Sequence, residues 1–379
     1  MESIVFLFSV AYVALSLMLL YKWYSWQEEL LLNENETLPT HISVLVAARN
    51  EEKSISKLLD CLIAQSYPQS HFEIIVIDDH STDGTVDIVE SYKKRLPNLK
   101  VVELEKVLPI RTGKKSAIEV GVQQSSGVLI AQTDADCVLT KDWLTLQNNF
   151  YCKHKPKLIV GPVLIKESKS VLANFQVFES FVLLLVTAVS VKTKKYFLCN
   201  GANLFYEKDA FLAVKGFEGA NETLSGDDIF LLKKFSQQFK NSILFVKNNS
   251  FFVETNPQEQ FAGFLLQRAR WASKTFLVKN GYNTATAFFV VLSNVLFFIS
   301  LLNLFWSSLY FLIFILLKIC CDYLLGASVS KFYKQKFNIF KFIINEFLYL
   351  PYSLIVFFVA LFPQKIMWKG RKIVSTSRV

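Results

Sequence analysis

Four long apolar runs constrain this chain before any motif does, because none of them can be left in water. The first, over 3–23, includes Ile4 to Tyr21 and is long enough to cross a bilayer as a helix. Lys22, Trp23 and Trp26 follow it and suit a membrane interface. Glu2 is the sole early charge, and bulky Tyr21, Trp23 and Tyr24 stand where a signal peptide would place small residues. A retained helix is therefore expected. Three more runs, about 285–306, 307–327 and 344–362, make a membrane region over 284–363, with a basic tail over 364–379. The 52% hydrophobic content and 35 Phe residues agree with bilayer-facing surface as well as a core.

Lysines orient these segments. Lys22 follows the first, Lys274 and Lys279 precede the second, and Lys331, Lys334, Lys336 and Lys341 follow the third, which places the large middle region in the cytoplasm. The tail is basic too (Lys365, Lys369, Arg371, Lys372), yet a complete last crossing would put it outside. Pro351 offers a broken, re-entrant helix as a way out. Phe181 to Val191 is apolar but short and preceded by Glu179, so it is expected to be a core or interfacial helix. The net charge of +9 is not gathered into a tract with interleaved aromatics, which argues against nucleic acid and for a membrane surface. Cys61, Cys137, Cys152, Cys199, Cys320 and Cys321 show no metal spacing and are expected to be reduced and structural.

Over 40–282 the pattern changes to short β-branched runs alternating with helical periodicity, the mark of βαβ units. Strands are expected at His41–Ala48, Glu73–Ile77, Leu99–Leu104 and Val128–Gln132, with helices between them. The fold class is α/β with a mainly parallel central sheet, whose strand ends would share one ligand-binding edge. An interfacial helix is expected near 257–279.

The polar clusters fall at those ends. Ala48-Arg49-Asn50-Glu51-Glu52 follows the first strand and Asp78-Asp79-His80-Ser81-Thr82-Asp83-Gly84 the second. Each admits a helix-cap reading, but their repetition favours a nucleotide pocket. Asp134-Ala135-Asp136 follows the fourth strand, and alternation along an extended chain would put both carboxylates on one side to share Mg²⁺ or Mn²⁺. Ser225-Gly226-Asp227-Asp228 opens a helix and supplies either a helix-terminal charge or a general base. Gln267-Arg268-Ala269-Arg270-Trp271 lies in a basic, aromatic helix that could bind anionic lipid, or a diphosphate and a sugar face.

Taken in order, these elements resemble family 2 glycosyltransferases, inverting enzymes of GT-A fold, over roughly Ser43 to Trp271. The resemblance implies donor contacts at Ala48, Arg49, Asn50, Glu51, Asp79 and Lys114 (of Gly113-Lys114), with Asp134 and Asp136 as the DxD pair holding the metal. It implies sugar or diphosphate contacts at Asn200, Gly201 and, from QxxRW, at Gln267, Arg270 and Trp271. Asp228 takes the place of the base, with Asp227 in the position often held by Glu. Trp368-Lys369-Gly370-Arg371 resembles the basic ending of membrane-bound members.

The implied reaction is inverting transfer from a nucleotide-sugar, UDP favoured and GDP possible, to a lipid-linked or glycan acceptor. The expected setting is the cytoplasmic side of the plasma (inner) membrane. A processive polysaccharide synthase is the alternative within the class, and a non-catalytic membrane scaffold the alternative outside it. With three or four candidate spans, the chain offers little helix surface for a polymer channel.

Overall fold

The structure is a computed structural model and describes residues 2–29, 38–107, 113–219, 226–277, 281–303, 309–361, 365–368 and 371–374. Two compact units emerge, one of Met1–Gln27, Ile165–Ser190 and Pro257–Phe362, the other of Glu28–Leu164, Val191–Asn256 and Pro363–Val379.

The second unit is built on a sheet whose first four strands are β1 (Ile42–Ala48), β2 (Phe72–Asp78), β3 (Leu99–Glu103) and β4 (Leu129–Asp134). They stand in the order β3-β2-β1-β4, all parallel, as a βαβ pattern requires. Beyond β4 the sheet continues through Leu204–Glu207, antiparallel to it, then Leu158–Val160 and Ile243–Phe245. β2 is buried along its whole length and β1 almost so, because helices cover both faces of a parallel sheet. Val44, Val46, Ile74 and Val76 pack there against Leu58 and Leu62 of the helix Ile55–Ile63.

Register sets the functional edge. Ala48 lies opposite Asp78 and Ala47 opposite Asp134, so the loops after β1, β2 and β4 leave the sheet side by side. At the opposite end of the strands Glu73 gathers its neighbours. Its carboxylate accepts the Ser43 hydroxyl at 2.6 Å, the Ser126 amide at 2.5 Å and hydroxyl at 2.7 Å, and the Lys100 ammonium at 2.6 Å. Burial alone would raise its pKa, but these donors bring it down to about 2.

In the first unit, four helices among the described residues are long and apolar enough to cross a membrane: Glu2–Tyr24, Val171–Lys192, Leu309–Phe332 and Ile339–Val359. Another helix, Gly281–Asn303, carries a shorter apolar stretch over Phe288–Asn303. Two expectations are corrected here. The short segment at Phe181–Val191 is the second half of a 22-residue helix, Val171–Lys192. Glu179 does not interrupt its apolar surface, because the carboxylate is buried against Arg268 at 2.6 Å and accepts the Tyr352 hydroxyl. Nor does Pro351 break the last helix, which runs unbroken from Ile339 to Leu361. A membrane helix tolerates the missing N–H when neighbouring groups satisfy the freed carbonyl.

The spans at 285–306 and 307–327 meet at 304–308, outside the described residues, and Lys279 and Lys369 also lie outside them. The tail forms an antiparallel pair, Lys365–Trp368 with Arg371–Val374. None of the six cysteines forms a disulfide. Within the helical unit Lys318 meets Asp322 at 2.7 Å and also Glu346, and the Tyr12 hydroxyl donates to Asp322 at 2.5 Å.

Candidate active site

Three loops and two helix starts converge at the carboxyl edge of the sheet. The loop after β1 is tied to the loop after β2. Arg49 donates to the carbonyls of Asp79 at 2.6 Å and His80 at 2.8 Å, Asn50 N–H to Ser81 Oγ at 2.9 Å, and Thr82 N–H to Asn50 Oδ1 at 2.8 Å. Asn50 and His80 hold positive φ, 50° and 59°, which short polar side chains reach more readily than bulky ones. Ala48 accepts the Asp79 amide at 2.8 Å, and Glu51 turns its carboxylate to the Ser54 hydroxyl at 2.6 Å.

The adjacent carboxylates of β2's exit do different things. Asp79, buried at 2% exposure, accepts the Gly113 amide at 3.0 Å and faces His80 Nδ1 at 3.2 Å. Gly113 has φ 98°, a conformation that glycine adopts without strain, and it delivers its amide to Asp79 at the start of the helix Lys114–Gln124. Asp78 accepts the Ser81 amide at 3.0 Å through Oδ2, while its buried Oδ1 has no hydrogen-bond partner among the described residues.

Lys114 is the electrostatic centre. Its Nζ stands 2.5 Å from Asp134 Oδ1 and 3.4 Å from Asp227 Oδ2. Burial would lower its pKa, but Asp134 and Asp227 more than offset that and hold it above the ordinary lysine range. Asp227 is itself buried, at 5% exposure, and accepts the Gln132 amide at 3.1 Å. Gln132 also donates to the Gly201 carbonyl at 3.1 Å and accepts the Tyr206 hydroxyl at 3.4 Å. A Cβ on Gly201 would come within 2.9 Å of Gln132 Nε2 and 3.0 Å of Asp227 Oδ2, so this position is fitted to its neighbours. Beside it, Asn200 folds back to accept the Ala202 amide at 3.0 Å.

Asp228 differs from Asp227 in being partly exposed, in the first turn of Asp227–Gln238, with Oδ1 accepting the Ile229 amide at 2.8 Å. Ser225 of the same motif lies outside the described residues. Asp134 ends β4, but Asp136 sits in a turn closed by Cys137 N–H to Asp134 O at 3.1 Å. This corrects the expected extended chain: the turn hydrogen bond bends the backbone as the strand ends. Ala135 and Cys137 are buried, whereas Asp134 and Asp136 remain partly accessible.

A divalent cation fits this donor set. Asp134 and Asp136 provide hard oxygens, and a cation, the Lys114 ammonium, already stands at Asp134. No group of three His, Cys, Asp or Glu side chains suited to a metal occurs among the described residues, so other ligand positions would fall to phosphate oxygens or water. Asp134, Asp227 and Asp228 all act on the Lys114 ammonium, so acidic side chains are concentrated at this point.

The three QxxRW residues belong to the helical unit, on the helix Phe261–Leu277. Gln267 accepts from Arg268 at 2.5 Å, and the Arg268 guanidinium lies 4.2 Å from the Trp271 ring centroid. Arg270 is partly exposed. Gln132 and Tyr206 were not legible as site residues; a lone glutamine in the apolar strand Leu129-Ile130-Ala131-Gln132 was the available signal.

Comparison with known proteins agrees with this architecture. A model described as Glycosyl transferase family 2 matches residues 43–211, and one described as Glycosyl transferase family group 2 matches 129–361, more than half of the chain. The chain is similar to Glycosyltransferase AglE of Haloferax volcanii, 34% identical over 108 residues, 28% of this chain and 34% of that protein. It is also similar to Beta-monoglucosyldiacylglycerol synthase of Synechocystis sp., 34% identical over 116 residues, 30% and 24% of the two chains. These matches span about a third or less of the relatives' length. Among solved structures, Mannosyltransferase PcManGT from Pyrobaculum calidifontis, in complex with GDP-Man and Mn2+, shares the fold at TM-score 0.53 and 13% identity, covering 94% of this chain and 98% of that one.

Proposed function

The chain belongs to glycosyl transferase family 2 and is a glycosyltransferase of GT-A fold, and we propose that it adds one sugar, with inversion, from a nucleotide-sugar to a lipid-linked acceptor. One observation carries the reading. The Lys114 ammonium is held between Asp134 and the buried Asp227, while Asp228, next in the chain, stays partly exposed.

Asp228 accepts the proton of an acceptor hydroxyl as that oxygen attacks the anomeric carbon and the bond to the diphosphate breaks. Asp227 is not the base in this account; it holds Lys114 and Gln132 in place. Lys114 offsets charge that gathers on the departing diphosphate. A bound Mg²⁺ or Mn²⁺, held by Asp134 and Asp136, supplies further charge neutralisation there. Asp79 takes the base or ribose and also holds the Gly113 turn through its amide. Arg49, Asn50 and Glu51 shape the two loops that flank that position. Asn200 and Gly201 border the sugar, and Gln267, Arg270 and Trp271 remain candidates for diphosphate or acceptor contact.

A nucleotide-sugar donor is supported by the similar solved structure in complex with GDP-Man and Mn2+. The lipid-linked acceptor is supported by the apolar helices that alternate with the transferase segments along the chain, and by a relative whose name specifies a glycolipid product. The proposed setting is the cytoplasmic face of the plasma (inner) membrane. A labelled donor incubated with lipid extract should give a single labelled lipid; a ladder of growing products would instead establish a processive synthase.

A further inference from the structure

The helical unit holds a cavity of 390 Å³ with two unlike walls. One wall is aromatic: Phe178 packs at 5.1 Å from Phe342 and 5.9 Å from Phe337, measured between ring centroids. The other carries Lys336, Lys341, Asn174 and Asn345. Lys341 Nζ donates to Asn174 Oδ1 at 3.1 Å, and Asn345, only 3% exposed, donates to the Asn174 carbonyl at 3.3 Å. Glu167 is the one acid on the lining, and its carboxylate accepts the Lys336 backbone amide at 2.8 Å. Neither lysine ammonium makes an ion pair among the described residues, so the lining carries an excess of one positive charge.

The surroundings say where a ligand would come from. The helix Ile339–Leu361 begins at the cavity, and while Phe342 and Asn345 turn inward, Phe340 is 75% exposed and Ile344 52% exposed on its outer side. Those exposed apolar side chains suit contact with lipid on that side. Lys331 and Lys334 precede Lys336 and Lys341 at the same helix connection, the pattern of a segment at headgroup depth. A cavity of this size takes a headgroup together with the first part of an apolar chain.

The geometry points to a lipid-binding site at this cavity, taking an anionic membrane lipid with its phosphate on Lys336 and Lys341 and its first apolar segment against Phe178, Phe337 and Phe342. Its lining shares no residue with the transferase site described above, and it does not depend on how that reaction proceeds. Charge selects the ligand, and the aromatic wall distinguishes a lipid from a free anion. The amides of Asn174 and Asn345 fix one edge of the opening.

The full-length chain, stripped of lipid in neutral detergent, would be exposed to phosphatidylglycerol, to phosphatidylcholine of the same acyl chains, and to excess inorganic phosphate, with retained lipid read by native mass spectrometry. The site predicts retention of phosphatidylglycerol over phosphatidylcholine and no displacement by inorganic phosphate. Lys336→Gln with Lys341→Gln should weaken that retention roughly thirtyfold, from about one contact's worth per lysine. Lys331→Gln with Lys334→Gln, off the cavity lining, should leave it unchanged. Equal retention of the two lipids by the unaltered chain would overturn the proposal without any variant. Displacement by inorganic phosphate, or equal loss in the two double variants, would overturn it as well.

Discussion

Lys114 Nζ lies 2.5 Å from Asp134 Oδ1 and thereby joins the DxD loop to the helix that carries Asp227 and Asp228. One ammonium couples the residues proposed to receive the donor to those proposed to activate the acceptor. Replacing it by Met should remove charge from the leaving-group position and leave Asp227 buried without its cation. Transfer should fall by at least about a hundredfold, and stability by about 3 kcal/mol. Initial rates and chemical denaturation measure the two losses separately.

Asp227 is buried and its neighbour Asp228 is partly exposed, and the roles proposed for them rest on that contrast. Asp228→Asn should abolish transfer while nucleotide affinity changes by less than about threefold, since an amide retains the shape but accepts no proton. Isothermal titration with the nucleoside diphosphate, alongside transfer assays, checks both halves. Wild-type turnover in this variant would remove Asp228 from the reaction.

At Gly201 even one methyl group is too much. It would press on Gln132, Asp227 and Lys114 at distances of 2.9 to 3.1 Å. Since those atoms end flexible side chains, Gly201→Ala should cost about 1 to 2 kcal/mol of stability, within the usual overpacking range. Activity should drop more than tenfold through misplacement of Lys114. A thermal melt near that of the unaltered chain with a large loss of turnover is the expected signature.

Asp136→Ala should raise the metal concentration needed for half-maximal activity by at least about tenfold, because the site keeps only one DxD carboxylate. Titration with Mn²⁺ at saturating donor measures it. An unchanged titration would exclude Asp136 as a ligand.

Acid should probe the far end of the sheet. Glu73 has its pKa lowered from 4.5 to about 2, so its contribution to stability is complete above the unfolded value and is lost as pH falls from about 4.5 through 2. Glu73→Gln should flatten that part of the stability–pH curve for the transferase unit. Denaturation followed at several acidic pH values is the measurement.

Much of this architecture was legible in the residues because β-branched runs and polar strand exits recur in register with the parallel sheet. The loops at Arg49, Asp79 and Asp134 could be placed at one edge from topology alone. Gln132 could not, since its partners Gly201, Tyr206 and Asp227 come from distant segments and a single strand glutamine carries no periodic signal. The same limit explains Glu179, which looks like the end of an apolar helix until Arg268 is folded against it. Pro351 likewise looks like a break, although packing lets the helix continue. Alternation also overreached at Asp136, because the strand ends at Asp134, two residues earlier.

The most direct test of the central claim is mass spectrometry of a membrane lipid extract incubated with the purified chain, Mn²⁺ and a panel of UDP- and GDP-sugars. The account predicts one lipid class gaining the mass of a single sugar residue with one donor, and no such product with Asp228→Asn. Donor turnover with no lipid gaining sugar, or an unaltered product from the Asp228 variant, would contradict it.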